Sequence, residues 1–303
     1  MRYVVTGAAG FIGSHLAETL LANGHEVAGV DCFTDYYDPE LKEQNAAGLD
    51  VLRLDLAADE LDVDGVDGVF HLAGQPGVRA SWGPDFELYL RRNVLATQRV
   101  LEAAAGAGTR VVFASSSSVY GDAERYPTPE DTPPRPISPY GVTKLACEHL
   151  LRAFPDVPTV GLRYFTVYGP RQRPDMAFTR LLHALAEGAP FELYGDGTQS
   201  RGFTFVSDAV AATIAAMAGA PSGAVYNVGG GSEATMLEAI AIAERVSGQT
   251  LQVRFLPVAA GDVRRTAADV TRIRSELGWA PRVSLEDGLR AQWEWASTRV
   301  GAR

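Results

Sequence analysis

Thr6-Gly7-Ala8-Ala9-Gly10-Phe11-Ile12-Gly13 is the stretch on which the fold of this 303-residue chain turns. It follows a short β-branched run, Arg2 to Thr6, and opens an amphipathic stretch, Phe11 to Ala22. Glycines at such a junction let the backbone turn tightly. They also let a pyrophosphate reach the helix N-terminus, where unpaired N–H groups favour an anion. A glycine turn that merely joins strand to helix needs no acidic partner downstream. Here the second β-branched run, Glu26 to Asp31, ends in a carboxylate about eighteen residues past Gly13. That carboxylate is placed to accept from both hydroxyls of an adenosine ribose, and it would repel a 2′-phosphate, so NAD is favoured over NADP.

Outward from this turn, β-branched runs alternate with long amphipathic stretches to about residue 165, the pattern of βαβ units and a parallel sheet. The further strands predicted are Asp50 to Leu54, Val69 to Ala73, Arg110 to Ala114 and Thr159 to Tyr164. The further helices predicted are Asp85 to Ala105 and Pro139 to Phe154. The fold expected is α/β, a Rossmann-type doubly wound parallel sheet with a smaller C-terminal α/β substrate-binding lobe. Residues 1–168 would form the NAD-binding domain carrying the catalytic residues. Residues 169–303 would mainly bind substrate, with room for some elements to return to the sheet. Gly121 to Pro139 carries six prolines and reads as an extended loop. Beyond Gly169 the pattern gives helices at Asp175 to Glu187, Asp208 to Ala218, Thr235 to Val246 and Leu285 to Ala296. It gives short strands at Phe191 to Tyr194 and Gly202 to Val206. On the dinucleotide side, Asp55 and Leu56 after the third strand are placed to bracket the adenine, and Ala73 and Gly74 end the fourth strand where the cofactor lies.

Composition narrows the function. A formal net charge of −10 argues against a nucleic-acid binder, which needs a basic face to displace counterions. Two distant cysteines, Cys32 and Cys147, make no disulfide framework and fit a reducing cytoplasm. The five histidines show no metal-ligand spacing, so no metal is expected. No secretory signal pattern opens the chain, and no apolar run approaches the roughly 18 to 20 residues of a membrane span.

The chemistry is carried by Tyr140-Gly141-Val142-Thr143-Lys144, a phenol and an ammonium four residues apart and so on one helical face. A free phenol is a poor base at neutral pH, and a neighbouring cation favours its ionised form. Tyr140 can then take a hydroxyl proton while Lys144 also holds the nicotinamide ribose. The fifth strand ends at the same sheet edge in a run of hydroxyls, Ser115-Ser116-Ser117-Ser118.

Taken in order, TGAAGFIG, HLAGQPGVR, Asn93-Val94, SSSSVYG, SPYGVTK, LRYFTVYGPRQRPDM, GDGTQSRGFTFVSD and GDVRRTAAD span nearly the whole chain. Through them it resembles the extended short-chain dehydrogenase/reductase family, specifically its NAD-dependent nucleotide-sugar epimerases. The resemblance implies that Ser116, four residues before Tyr120, donates to the reacting hydroxyl, and that Asn93 and Tyr164 belong to the cofactor site. It also implies that Arg201 and Arg264 bind the diphosphate, that Arg173 lies on the nucleotide, and that Pro76 and Arg79 border the sugar. Dimerisation through the Asp85 and Pro139 helices is likewise implied by the resemblance alone.

Relatives that dehydrate or decarboxylate nucleotide sugars carry acidic residues just after the Ser116 position. This chain has Ser117 and Ser118 there, which points to epimerisation. UDP-hexose epimerases have asparagine after RYF. Here Thr166 follows, as in UDP-glucuronate 4-epimerases, and Thr166 and Ser117 become the candidates for holding a sugar carboxylate. The expected reaction is interconversion of UDP-glucuronate and UDP-galacturonate through a transient 4-keto sugar that turns over while hydride is held on the nicotinamide. UDP-glucose 4-epimerase and UDP-glucuronate decarboxylase are the alternatives.

Overall fold

The computed structural model describes residues 1–258 and 263–300. Its first half runs β1 (Arg2–Thr6), α1 (Phe11–Ala22), β2 (Glu26–Asp31), α2 (Pro39–Ala46), β3 (Val51–Arg53), β4 (Gly68–His71), α3 (Phe86–Tyr89), α4 (Ala96–Ala107), β5 (Arg110–Ser116), α5 (Pro139–Ala153) and β6 (Thr159–Tyr164). There follow β7 (Thr166–Tyr168), α6 (Ala177–Glu187), β8 (Phe191–Tyr194), β9 (Ser200–Phe205), α7 (Val206–Gly219), β10 (Ala224–Val228), β11 (Ser232–Thr235), α8 (Met236–Ser247), β12 (Val253–Leu256), β13 (Arg265–Thr266), α9 (Thr271–Leu277) and α10 (Leu285–Val300).

Seven strands form one parallel sheet in the order β10-β6-β5-β4-β1-β2-β3. Because a parallel sheet is covered on both faces, its central strands are apolar on both. Val4, Val69, Val111 and Phe113 face one side and pack on Val100, Leu101, Cys147 and Leu151 of α4 and α5. Val5, Phe70, Val112 and Leu162 face the other, against Leu16, Leu20, Val210 and Met217 of α1 and α7. A separate core joins Leu181, Leu182 and Leu185 of α6 to Phe191, Phe203, Ile240 and Leu289.

The structure departs from the sequence reading in several places, α9 and strands β11 to β13 being further elements the pattern did not give. The helix expected from Asp85 to Ala105 is not regular: after a 3-10 turn and α3, residues Leu90–Leu95 are π-helical before α4 continues, and Gly108 ends it at φ 68°. Strand β10 joins the sheet beside β6 although it lies far along the chain. Helix α2 starts where the Asp38 side chain accepts from the Glu40 amide and Pro39 stands at the first turn, an N-terminal signal of ordinary kind. Thr166–Tyr168 forms a strand, β7, paired with β9. Gly121 to Pro139 holds no strand, only an isolated bridge from Thr128 to Ala268. Among the described residues no helix is long and apolar enough to cross a membrane.

Candidate active site

The carboxyl ends of β1, β2, β4, β5 and β6 open onto one cavity of about 420 Å³. Such a crevice forms where neighbouring strands send their connections to opposite faces of the sheet. The glycine turn between β1 and α1 is its floor. Gly7 has φ +72°, and a Cβ on it would stand 2.8 Å from the Ala73 nitrogen. A Cβ on Gly13 would fall 2.1 Å from the Gly7 carbonyl oxygen, so nothing larger than glycine lets helix and strand meet this closely. At the end of β2, Asp31 is 9% exposed and accepts from the amides of Ala9 at 3.2 Å and Phe33 at 2.8 Å. Burial pushes its carboxyl above the usual range, against those two amides and the nearby Lys42. A tight amide-lined turn and a strand-end carboxylate on one cavity fit the pyrophosphate and ribose of NAD. Asp55, Leu56 and Ala73 line the same cavity.

On the other wall stands α5. Its N-terminus is set by Ser138, whose hydroxyl accepts from the Gly141 amide at 3.1 Å, with Pro139 in the first turn. That start turns Tyr140 and Lys144 to the cavity. Lys144 Nζ donates to the Ala114 carbonyl at 2.8 Å and lies 4.9 Å from the centre of the Phe113 ring and 6.0 Å from that of Tyr140. The Tyr89 ring meets Tyr140 edge-on at 6.2 Å. Its hydroxyl lies 2.8 Å from the carbonyls of both Pro76 and Gly77, fixing the loop after β4. A 3-10 turn at Ser117–Val119 folds the hydroxyl run over the cavity. There Ser116 Oγ accepts from the Ser118 amide and donates to Ser118 Oγ, both at 3.1 Å. Thr166, Pro76 and Arg173 complete this wall. Beneath it, His71 is sealed between the Thr6 and Thr97 hydroxyls at 2.8 and 3.1 Å, and burial lowers its pKa to about 3, so it stays neutral.

Several expected site residues stand outside the cavity lining or turn their polar atoms away from it. Asn93, in the π-helical stretch, lies behind the cavity wall: its side chain holds both backbone groups of Gln75 and reaches Thr143 Oγ1 at 3.0 Å. It braces the loop after β4 against α5. Tyr164 lines the cavity, but its hydroxyl is turned into the core on Thr213 at 2.5 Å. Arg79 lays its guanidinium over the Tyr194 ring at 4.2 Å, outside the cavity lining. Arg264 is exposed and lines a second cavity of about 800 Å³ with Gly195, Gln199, Phe255 and Pro257. Arg201 donates to the carbonyls of Ser200 at 2.8 Å and Val263 at 2.7 Å, and so fixes the backbone that carries Arg264. Gly261 and Asp262, part of the GDVRRTAAD run, lie outside the described residues.

Other lining residues escaped the sequence reading. Lys42 Nζ is buried against the Thr34 carbonyl and hydroxyl at 2.7 and 2.8 Å, close enough to Asp31 for charge to couple them. The hydroxyl of Tyr36 donates to Asp175 at 3.3 Å, and Asp175 pairs with Arg173 at 2.9 and 3.0 Å, so the loop after β2 is tied to the loop after β7 across the cavity. In the second cavity the Gln199 Oε1 is buried without a hydrogen-bond partner, while Nε2 donates to the Tyr194 carbonyl at 3.2 Å. The one available signal was Tyr36-Tyr37, an aromatic pair in a polar loop directly after Asp31.

Comparison with known proteins places these features. Residues 3–229 match the model of the NAD dependent epimerase/dehydratase family. A Bacillus subtilis (strain 168) protein described as an uncharacterized UDP-glucose epimerase, YtcB, is 42% identical, covering 98% of each chain. UDP-glucuronate 4-epimerase of Thermodesulfobacterium geofontis is 35% identical over 98% of this chain and 97% of its own. The crystal structure of UDP-glucuronic acid 4-epimerase from Bacillus cereus, in complex with UDP-glucuronic acid and NAD, superposes with a TM-score of 0.95 at 41% identity. That match covers 99% of this chain and 100% of the other.

Proposed function

We propose, from the premise that this chain belongs to the NAD dependent epimerase/dehydratase family, that it interconverts UDP-glucuronate and UDP-galacturonate by inverting carbon 4. One observation carries the reading: Tyr140, Lys144 and Ser116 share a single cavity with the glycine turn and Asp31, while the positions after Ser116 are hydroxyls. Bound NAD supplies the group that takes hydride from carbon 4 and returns it. Gly7, Gly10, Phe11, Ile12, Gly13, Asp31, Asp55, Leu56 and Ala73 would hold it.

The chain's own groups do the rest. Tyr140, one helical turn from Lys144, acts as the general base that takes the proton of the C4 hydroxyl as the C4–H bond breaks, and Ser116 donates to the same oxygen. The product is a 4-keto sugar, whose ring turns over on its UDP anchor. Tyr140 then returns the proton to the oxygen as the new C4–H bond forms on the opposite face. A 4-keto uronic acid is a β-keto acid and loses carbon dioxide once the bond to its carboxyl carbon aligns with the carbonyl π system. Thr166 and Ser117 hold that carboxylate through short hydroxyl donors and keep the bond out of alignment. The second cavity, walled by Phe255 and Pro257 and edged by Arg264, fits the nucleotide end, and the unpaired Gln199 Oε1 there offers an acceptor to a ligand N–H.

Leu88, Leu95 and Val142 stand exposed on α3, the π-helical stretch and α5. This supports a homodimer through these helices. The free thiols Cys32 and Cys147 fit a cytoplasmic setting. UDP-glucose is the second substrate reading. It is favoured by the description of the Bacillus subtilis relative.

Incubating the purified protein with UDP-glucuronate, and separately with UDP-glucose, and following the sugar ring by proton NMR decides between them. Tyr140→Phe should lose about 10³-fold in kcat while retaining fold and NAD. Undiminished epimerisation by Tyr140→Phe overturns the mechanism.

A further inference from the structure

Behind the proposed reacting groups lies a pair of full charges that no step above uses. Glu148 and Arg163 are each 3% exposed. Glu148 Oε1 accepts from Arg163 Nε at 2.9 Å and Oε2 from Nη2 at 2.7 Å, a two-pronged pair. Oε1 also takes the Ser115 hydroxyl at 2.5 Å. The remaining guanidinium nitrogen, Nη1, donates to the Tyr120 hydroxyl at 2.8 Å and the Glu130 carbonyl at 3.2 Å. Tyr120 in turn donates to Asn227 Oδ1 at 2.7 Å, and the Asn227 side-chain amide reaches the Thr128 carbonyl at 2.8 Å. The partners come from β5, the turn that follows it, the proline-rich loop, α5, β6 and β10.

Stability alone is a poor reason for such a pair. Stripping water from two ions at this depth is expensive, and well-packed apolar residues of equal volume commonly serve a fold as well or better. Geometry gives a better one. Ser115 adjoins Ser116. Glu148 stands one turn beyond Lys144 and two beyond Tyr140 on the same face of α5. Arg163 adjoins Tyr164 and lies three residues before Thr166. Lys144 already clips α5 to β5 through the Ala114 carbonyl, and Glu148 adds a second clip one turn further on, at Ser115. One clip lets a helix pivot about its contact. Two on successive turns fix its register against the strand, and Arg163 ties that register to β6.

We propose that Glu148 and Arg163 are positioning residues that set Tyr140 relative to Ser116 and Thr166, acting through Ser115 and β6. The inference rests on the reading of Tyr140 and Ser116 given above. The test is the double variant Glu148→Leu/Arg163→Met, which removes both charges and leaves no buried ion unpaired. Its kcat for UDP-glucuronate should fall about 30-fold, because small misplacements of reacting groups have large effects on rate. KM should stay within about threefold of wild type. NAD content should be unchanged. Glu148→Gln/Arg163→Met, which still accepts from Ser115 and leaves no buried ion unpaired, should recover part of that loss. A double variant whose kcat stays within about twofold of wild type overturns the proposal. So does one that loses kcat, NAD and thermal stability in proportion, as a merely structural pair would. Should the double variant not fold, Ser115→Ala removes only the clip to β5 and should lower kcat several-fold at unchanged melting temperature; wild-type kcat in that variant also overturns the proposal. Loss of turnover in Tyr140→Phe establishes the underlying reading separately, so an unaffected double variant refutes the positioning role alone.

Discussion

Strands β1 to β6 and, β10 apart, strands β7 to β13 are built from the same kinds of residue but obey different rules of placement. The first six run parallel in one sheet, so every carboxyl end reaches the same edge, and a motif at a strand end lies at the site by construction. Beyond them, β9 takes β11 antiparallel and β7 and β13 parallel, while β8 pairs with β12 in a ribbon of its own. Side chains there reach a cavity from loops and edges. On the function proposed above, chemistry falls to the regular half and recognition to the irregular one, so substitutions in the two should fail differently.

The sharpest way to break that division is kinetic. Lys144→Met, on the regular half, should lower kcat about 100-fold with KM for the UDP-sugar little changed. Arg264→Ala, on the irregular half, should raise KM about tenfold and leave kcat within about twofold, the mark of an interaction made equally in ground and transition states. If steady-state kinetics show the reverse, the division is false. Thr166 stands where the halves meet, and Thr166→Ala should raise the share of decarboxylated UDP-pentose several-fold relative to epimer. An unchanged product ratio by NMR would remove Thr166 from carboxylate control.

The smallest effect near neutrality is one of pH. Burial raises the Asp31 carboxyl above its ordinary value, so its charge is full at high pH and is lost, as pH falls, earlier than that of a surface aspartate. With Asp31 as the acceptor for the ribose hydroxyls, as proposed, NAD retention should weaken on acidification through that raised value. In Asp31→Asn retention should be weak throughout and flat with pH, as equilibrium dialysis against NAD would show.

The same division governs how much could be read from residues. The strands Arg2–Thr6, Glu26–Asp31 and Thr159–Tyr164 and the helix Phe11–Ala22 have the predicted bounds, since a run buried on both faces announces itself locally. Tyr140, Lys144, Ser116, Ser117 and Thr166 stand in one cavity, as their motifs require. Much of what escaped depends on partners distant in the chain. Asn93 follows a strand-helix rhythm that a π-helical stretch disrupts, rotating it onto Gln75 and Thr143. Ala224–Val228 carries a buried asparagine that only Tyr120, Thr128 and Asp269 make tolerable, and none of these is near it in sequence. Lys42 and Gln199 bond locally, to Thr34 and Tyr194, but no strand or helix period marks them.

Strand β10 also bears on how the protein is made. Some 60 residues separate it from β6, its neighbour in the sheet. At ordinary translation speeds of about 5–20 residues per second, the ribosome works for several seconds between releasing one and the other. Throughout that interval a nascent chain carries an open strand edge, the kind of surface that recruits wrong partners. Synthesis that stalls between Tyr164 and Ala224 should therefore leave a species inclined to aggregate, however complete its dinucleotide motifs.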